Sequence, residues 1–143
     1  MVKRGALIGL ISGIVLGLFL KSAEIVSGEK VYVLLLNIDF IYKVPLPELF
    51  EFVLHLAVAV IIGVLYVFTL TSFNIKSQLN RWLTAFALTL PAVLLYFPLT
   101  ILAVRETPAI DDFEALTWWT AGHILFAAAM AASAKNMHKK TPH

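Results

Sequence analysis

The sequence predicts an all-α integral membrane protein, a bundle of four spanning helices with a short interfacial segment after the first. Three observations carry this. First, the 143 residues are 60% hydrophobic and only 14% charged, with a mean hydropathy of +0.88. A soluble domain is about a quarter charged and less than half apolar. At this size the excess apolar surface cannot be hidden from water, so lipid must solvate it. Second, four apolar runs, at 5–25, 49–70, 82–104 and 114–134, each approach the ~20 residues that a helix needs to cross a bilayer. Third, none of them alternates apolar with polar residues as a barrel strand does. Backbone in hydrocarbon must satisfy its own hydrogen bonds, which leaves helices. Residues 1–143 read as one transmembrane domain.

Composition also removes several chemistries. With no Cys, the chain has no disulfide, thiolate metal site or thiol nucleophile. The basic residues are scattered over tails and short loops, so the net charge of +2 does not build a nucleic-acid patch. No glycine of the first run stands directly before a lysine-serine pair, as a phosphate loop requires, and no serine stands in a nucleophile elbow. No cofactor and no enzymatic activity are expected.

The first run, "GALIGLISGIVLGLFLK", places Gly5, Gly9, Gly13 and Gly17 four residues apart. Such a face lets two helix backbones approach closely. Lys3 and Arg4 imitate the start of a signal peptide. The exit, Leu20-Lys21-Ser22-Ala23-Glu24, has lysine where a small residue is wanted, so the helix is read as retained. Lys21 continues the glycine face and Glu24 lies three residues on. The pair is expected to point into protein and neutralise itself; alternatively, Lys21 snorkels to the headgroups.

Next comes "VSGEKVYVLLLNIDFIYKVPLP". It is apolar at Val31–Leu36 and Phe40–Tyr42 but too short to cross, broken by Asn37 and Asp39 and closed by Pro45 and Pro47. A short interfacial helix or a re-entrant turn is expected, with Tyr32 and Tyr42 at headgroup depth. In the second run, Glu51 and His55 share a helix face. In the third, Pro91 and Pro98 each remove a backbone donor and should kink the helix. Asp111 or Asp112 can cap the fourth helix, with Glu114 in its first turn. The fourth helix has a small-residue face at Gly122, Ala127 and Ala131, with His123 inside it. The tail "AKNMHKKTPH" should hold the inner leaflet through its lysines, with His138 and His143 solvated.

Charge sets the orientation. With the amino terminus inside, the inner segments hold Lys3, Arg4, Lys76, Arg81, Lys135, Lys139 and Lys140 and no acid. The outer side holds Lys21, Lys30, Lys43 and Arg105 together with all nine acids. The Lys/Arg bias predicts four crossings with both termini cytoplasmic, in a cell inner membrane.

In that topology Lys21, Glu24, Glu51, His55 and His123 fall at one level of the outer half. At 1.5 Å per residue, His55 lies ~12 Å and His123 ~14 Å below the outer helix ends. Three readings stay open. The histidines are neutral interhelical hydrogen-bonding groups that fix packing. Or Glu–His–His is a proton relay or the lining of an outward cavity. Or Glu51, His55 and His123, with Glu24, ligate a metal such as zinc, although Glu-x-x-x-His lacks the paired histidines of a zinc-protease helix. The leading functional reading is a small non-enzymatic membrane protein acting by helix packing or as a subunit of a membrane assembly. The alternative is a proton-coupled or pH-sensing transporter-like protein. With four helices it calls for a homodimer, built through the glycine face. An intramembrane metal site or enzyme is third. The partners expected are the lipid bilayer and a second copy or a membrane protein, not nucleic acid.

The halves are weakly alike: "FVLHLAVAVIIG" and "TAGHILFAAAMA" each set His before an aliphatic residue and a small-residue run. This would be a parallel repeat with its axis along the membrane normal. The run "GHILFAAAMA", with the helix count and the glycine-rich first helix, resembles small bacterial inner-membrane proteins of the YagU type. That resemblance implies a four-helix inner-membrane protein with acid-stress associations, and so a location more than an activity.

Overall fold

The structure, a computed structural model, describes residues 1–138, with side chains up to Lys135. The lysines at 139 and 140, His143 and the side chain of His138 lie outside the described residues, so the reading of the basic tail falls there too. Six helices follow one another: α1 (Val2–Ser27), α2 (Val31–Leu35), α3 (Glu48–Ser72), α4 (Gln78–Leu94), α5 (Tyr96–Leu102) and α6 (Phe113–His138). Four spans are long and apolar enough to cross a membrane: α1, α3, α4 with α5, and α6. The chain is an all-α, multi-pass membrane bundle, as expected from composition. Its outer apolar side chains, such as Leu18, Ile61, Phe68, Leu90 and Ile101, are exposed, which is what a lipid-facing surface requires.

The glycine stripe of α1 explains the tightest seam. A Cβ on Gly5 would stand 2.8 Å from the carbonyl oxygen of Gly63, and one on Gly9 2.8 Å from Cα of Val60. One on Gly13 would stand 2.6 Å from Cβ of Ala59. The backbones of α1 and α3 therefore touch directly, with Ala59 and Gly63 supplying a matching small pair on α3, and dispersion holds them together in lipid. Gly17 leaves room for the Phe52 ring. This corrects one expectation: the glycine face is filled from within the chain and is not free to build a homodimer. On its other side α1 meets α6, where Gly122 admits Leu16, Phe19 and Leu20, and where Ala127 and Ala131 are fully buried. The α4 helix packs on α6 and touches α3 less. Arg4 donates to the Ala134 carbonyl at 3.1 Å, so the start of α1 and the end of α6 share one end of the bundle.

The opposite end is closed by the segment between α1 and α3. Val31, Leu34 and Leu36 are buried and Tyr32 nearly so, because α2 lies against α1, α5 and α6. The expected interfacial helix is thus a lid on the bundle. Burying each large apolar side chain stabilises such an arrangement by about 1.5–3 kcal/mol. The third span is interrupted at Leu95, between α4 and α5, where the backbone stays helical (φ −62, ψ −15) and the bonds Leu95 N–H to the Pro91 carbonyl and Leu99 N–H to the Leu95 carbonyl, both 3.0 Å, carry it on. Pro98 has no N–H for the carbonyl four residues back, and its ring crowds that turn. The indole N–H of Trp119 donates to the nearby Val93 carbonyl at 3.1 Å, and the Tyr96 hydroxyl donates to that of Ala109 at 2.8 Å. At the start of α6, the Asp112 carboxylate accepts the Ala115 N–H at 3.0 Å, so the cap is Asp112.

Candidate functional site

The lid is held by a set of charges that helix periodicity does not reveal. Arg105, in the loop after α5, donates to both carboxylate oxygens of Glu51 at 2.6 and 3.1 Å. It donates to both oxygens of Asp39 at 2.9 and 3.2 Å. Asp39 also accepts the backbone N–H groups of Val104 at 3.2 Å and Arg105 at 3.0 Å. Glu51 is 4% and Asp39 8% exposed. Two bidentate pairs on one guanidinium are the strong form of such contacts. Burial alone would raise the Asp39 pKa, but hydrogen bonds from the Arg105 side chain and from the Arg105 and Val104 amides outweigh it and hold it below 3.8. The Asp39–Arg105 bond therefore contributes fully at neutral pH and is lost only as pH falls below that ordinary value. Asn37 adds a bond from its side-chain amide to the Leu99 carbonyl at 3.1 Å.

Lys21 and Glu24 do not neutralise each other. Lys21 is about half exposed and pairs with Glu48 of α3 at 2.8 Å. Glu24 accepts the Tyr32 and Val33 N–H groups at 2.9 and 3.1 Å, capping α2. Both residues tie α1 to elements distant in sequence, which their shared face could not disclose. The Tyr32 hydroxyl donates to Glu48 at 3.0 Å. Burial and then the Glu48 carboxylate push this phenol up to about 12, so it remains a donor at neutral pH.

Behind the lid lies a cavity of about 230 Å³ whose walls are mostly aliphatic and aromatic. Glu51, His55, His123 and Asn37 are its polar lining, and Trp119, Phe126, Leu95 and Leu99 stand among its walls. Val58 and Leu95, which also line it, are 56% and 48% exposed on the bundle surface. The cavity therefore opens sideways, through the seam between α3 and the third span, α4 with α5.

Geometry fixes the two imidazoles. Nε2 of His55 bonds the Gly13 carbonyl across the α1–α3 seam at 3.0 Å. Nδ1 of His123 bonds the Trp119 carbonyl, one turn back, at 2.7 Å. A carbonyl only accepts, so each of these nitrogens carries the proton. In a neutral ring the other nitrogen is then a bare lone pair: Nδ1 in His55, Nε2 in His123. Neither has a hydrogen-bond partner among the described residues, and His123 is only 3% exposed. Its ring packs against Trp119, tilted by 41° with centroids 4.5 Å apart.

Of the five residues expected in one polar layer, Glu51, His55 and His123 meet at this cavity, whereas Lys21 and Glu24 serve the lid. Glu51 is engaged by Arg105 rather than by His55. Among the described residues no group of three or more carboxylate or imidazole side chains is placed to hold a metal ion, so the metal arrangement of Glu51, His55 and His123 is not formed. Sequence reasoning missed Arg105 and Asp39. The signals were an aspartate inside an apolar stretch and a lone arginine in an otherwise acidic loop.

No family model, no curated protein and no solved structure matches this chain.

Proposed function

We propose that the chain is a non-enzymatic, multi-pass binding protein of a bacterial cell membrane, working through the cavity under its lid. The termini lie in the cytoplasm and the lid end faces outward. The Lys/Arg bias between the two ends supports that orientation, and the YagU-type resemblance of the last helix agrees with the location. One observation carries the binding reading. Glu51 and His55 of α3 and His123 of α6 line a single cavity near the lid. His55 does double work, since its Nε2 ties α3 to α1 while its side chain also lines the cavity. A ring used only for packing would have no reason to line an opening.

A second reading, a proton-coupled conduit, is favoured by the break at Leu95 beside the same cavity. Broken helices line substrate sites in transporters. The two readings separate on proton flux in liposomes, where the binding reading expects none.

Orientation has its own test. The chain has no native Cys, and positions 43 and 77 are exposed at opposite ends. In intact cells Lys43→Cys should react with a membrane-impermeant thiol reagent and Ser77→Cys should react only after lysis. The reverse pattern would sink the assignment of the lid end to the outside.

A further inference from the structure

The polar groups left free in the cavity are acceptors. His55 and His123 line it and each keeps one ring nitrogen without a partner among the described residues, Nδ1 and Nε2 respectively, while Glu51 brings a carboxylate whose guanidinium is shared with Asp39. Arg105 sets one positive charge against the two negative charges of Glu51 and Asp39. This end of the cavity therefore has one formal negative charge in excess, in a place that lipid and the lid keep from water. Asn37 is engaged, its amide N–H by the Leu99 carbonyl and its oxygen by the Asp39 N–H, and the remaining lining is apolar, with the Trp119 and Phe126 rings among it. From these groups we propose that the cavity binds a small organic ammonium, a protonated primary amine on an apolar body, with access from the lipid between α3 and the third span, α4 with α5. The inference rests on the reading of the cavity as a binding site.

The chemistry selects this class on three grounds. An ammonium group has donors and no acceptor, so it meets both imidazole lone pairs without leaving a buried acceptor unpaired. Its charge offsets the excess carboxylate, and charge-assisted hydrogen bonds are about twice as strong as neutral ones. Its body is attracted to the aliphatic wall, and the cation to an aromatic face. A neutral alcohol supplies a donor but no charge. A quaternary ammonium supplies charge but no donor. Carboxylates, phosphates and other anions meet only acceptors and like charge. The cavity, at about 230 Å³, is smaller than the ~300 Å³ at which drug-sized sites begin, so the ligand is a small one.

The test is titration calorimetry on the full chain in lipid nanodiscs at neutral pH, with empty nanodiscs subtracted. Three probes share one body: 2-phenylethylammonium, 2-phenylethanol and 2-phenylethyl-trimethylammonium. Saturable binding of the primary ammonium, at least about tenfold tighter than either other probe, is the expected result. His55→Ala and His123→Ala should each weaken it by about tenfold. Should these variants fail to fold, Ala92→Phe decides, because it fills the cavity from α4 and should abolish binding while the bundle stays intact. Equal affinity for the alcohol, with both probes lost in Ala92→Phe, would overturn the ammonium assignment and leave the binding-site reading standing. Binding of no probe, or binding untouched by Ala92→Phe, would overturn both.

Discussion

Replacing Arg105 with methionine should cost about 3–5 kcal/mol of stability, the size of effect seen when one partner of a buried ion pair is removed. The reason is what remains. Glu51 at 4% and Asp39 at 8% exposure lose the guanidinium that satisfies all four of their oxygens, and burial of an uncompensated carboxylate is expensive. The lid should loosen first, because Asp39 belongs to it and Glu51 to α3. Thermal unfolding in detergent gives the total loss. Hydrogen exchange at 31–42 should rise more than in the α1–α3 seam. Restoring balance with Glu51→Gln and Asp39→Asn in the same chain should recover part of the loss, since the deficit is one of unpaired charge rather than of missing volume. A methionine variant as stable as the wild type would mean that the arginine is a surface pair of the kind worth under about 1 kcal/mol.

The second large effect is at Gly9. Gly9→Leu should lose more than about 3 kcal/mol or fail to assemble, beyond the usual cost of overpacking. The side chain has nowhere to go: its Cβ alone would stand 2.8 Å from backbone atoms Ala59 C and Val60 Cα. Backbone cannot swing aside as a flexible side chain can, so α1 and α3 must separate along the whole seam. Separation also breaks the His55 bond to Gly13. Gly28 provides the contrast. It ends α1 with φ +80 and nothing lies within 4 Å of a Cβ there, so Gly28→Ala should cost only the left-handed backbone penalty, roughly 1–2 kcal/mol. Equal melting temperatures for the Gly9 and Gly28 variants would contradict the close seam.

The four spans were legible because hydrocarbon imposes length and polarity on any chain that crosses it, whatever the tertiary packing. The glycine stripe was equally plain as a four-residue repeat. Its partner was less so, since Ala59 and Gly63 make a single small pair inside an aliphatic run. Local rules also narrowed the cap of the last helix to Asp111 or Asp112, of which the structure uses Asp112. They could not say that the third span would be interrupted at Leu95, or that the Trp119 indole would take up its Val93 carbonyl from another helix. The largest miss has the same origin. Arg105 lies 54 residues from Glu51 and 66 from Asp39, whereas helix periodicity relates only neighbours three or four apart. That is why Lys21 and Glu24 read as a pair, although each is satisfied from elsewhere. The α2 segment reads as interfacial for a related reason. Its apolar face is evident, but whether lipid or the bundle covers it is decided by residues that sequence distance hides, Asn37 and Asp39 among them.

A cavity lined by Glu51, His55 and His123 that binds a ligand, rather than a path that conducts, predicts no proton flux. Proton flux tests this most directly. The protein is reconstituted in liposomes with a trapped pH dye, a gradient is imposed, and wild type is compared with His55→Ala plus His123→Ala. Dissipation at the rate of empty liposomes, the same for both proteins, is the predicted result. Flux in the wild type that disappears in the folded double variant would contradict it and make the same two histidines part of a conduit.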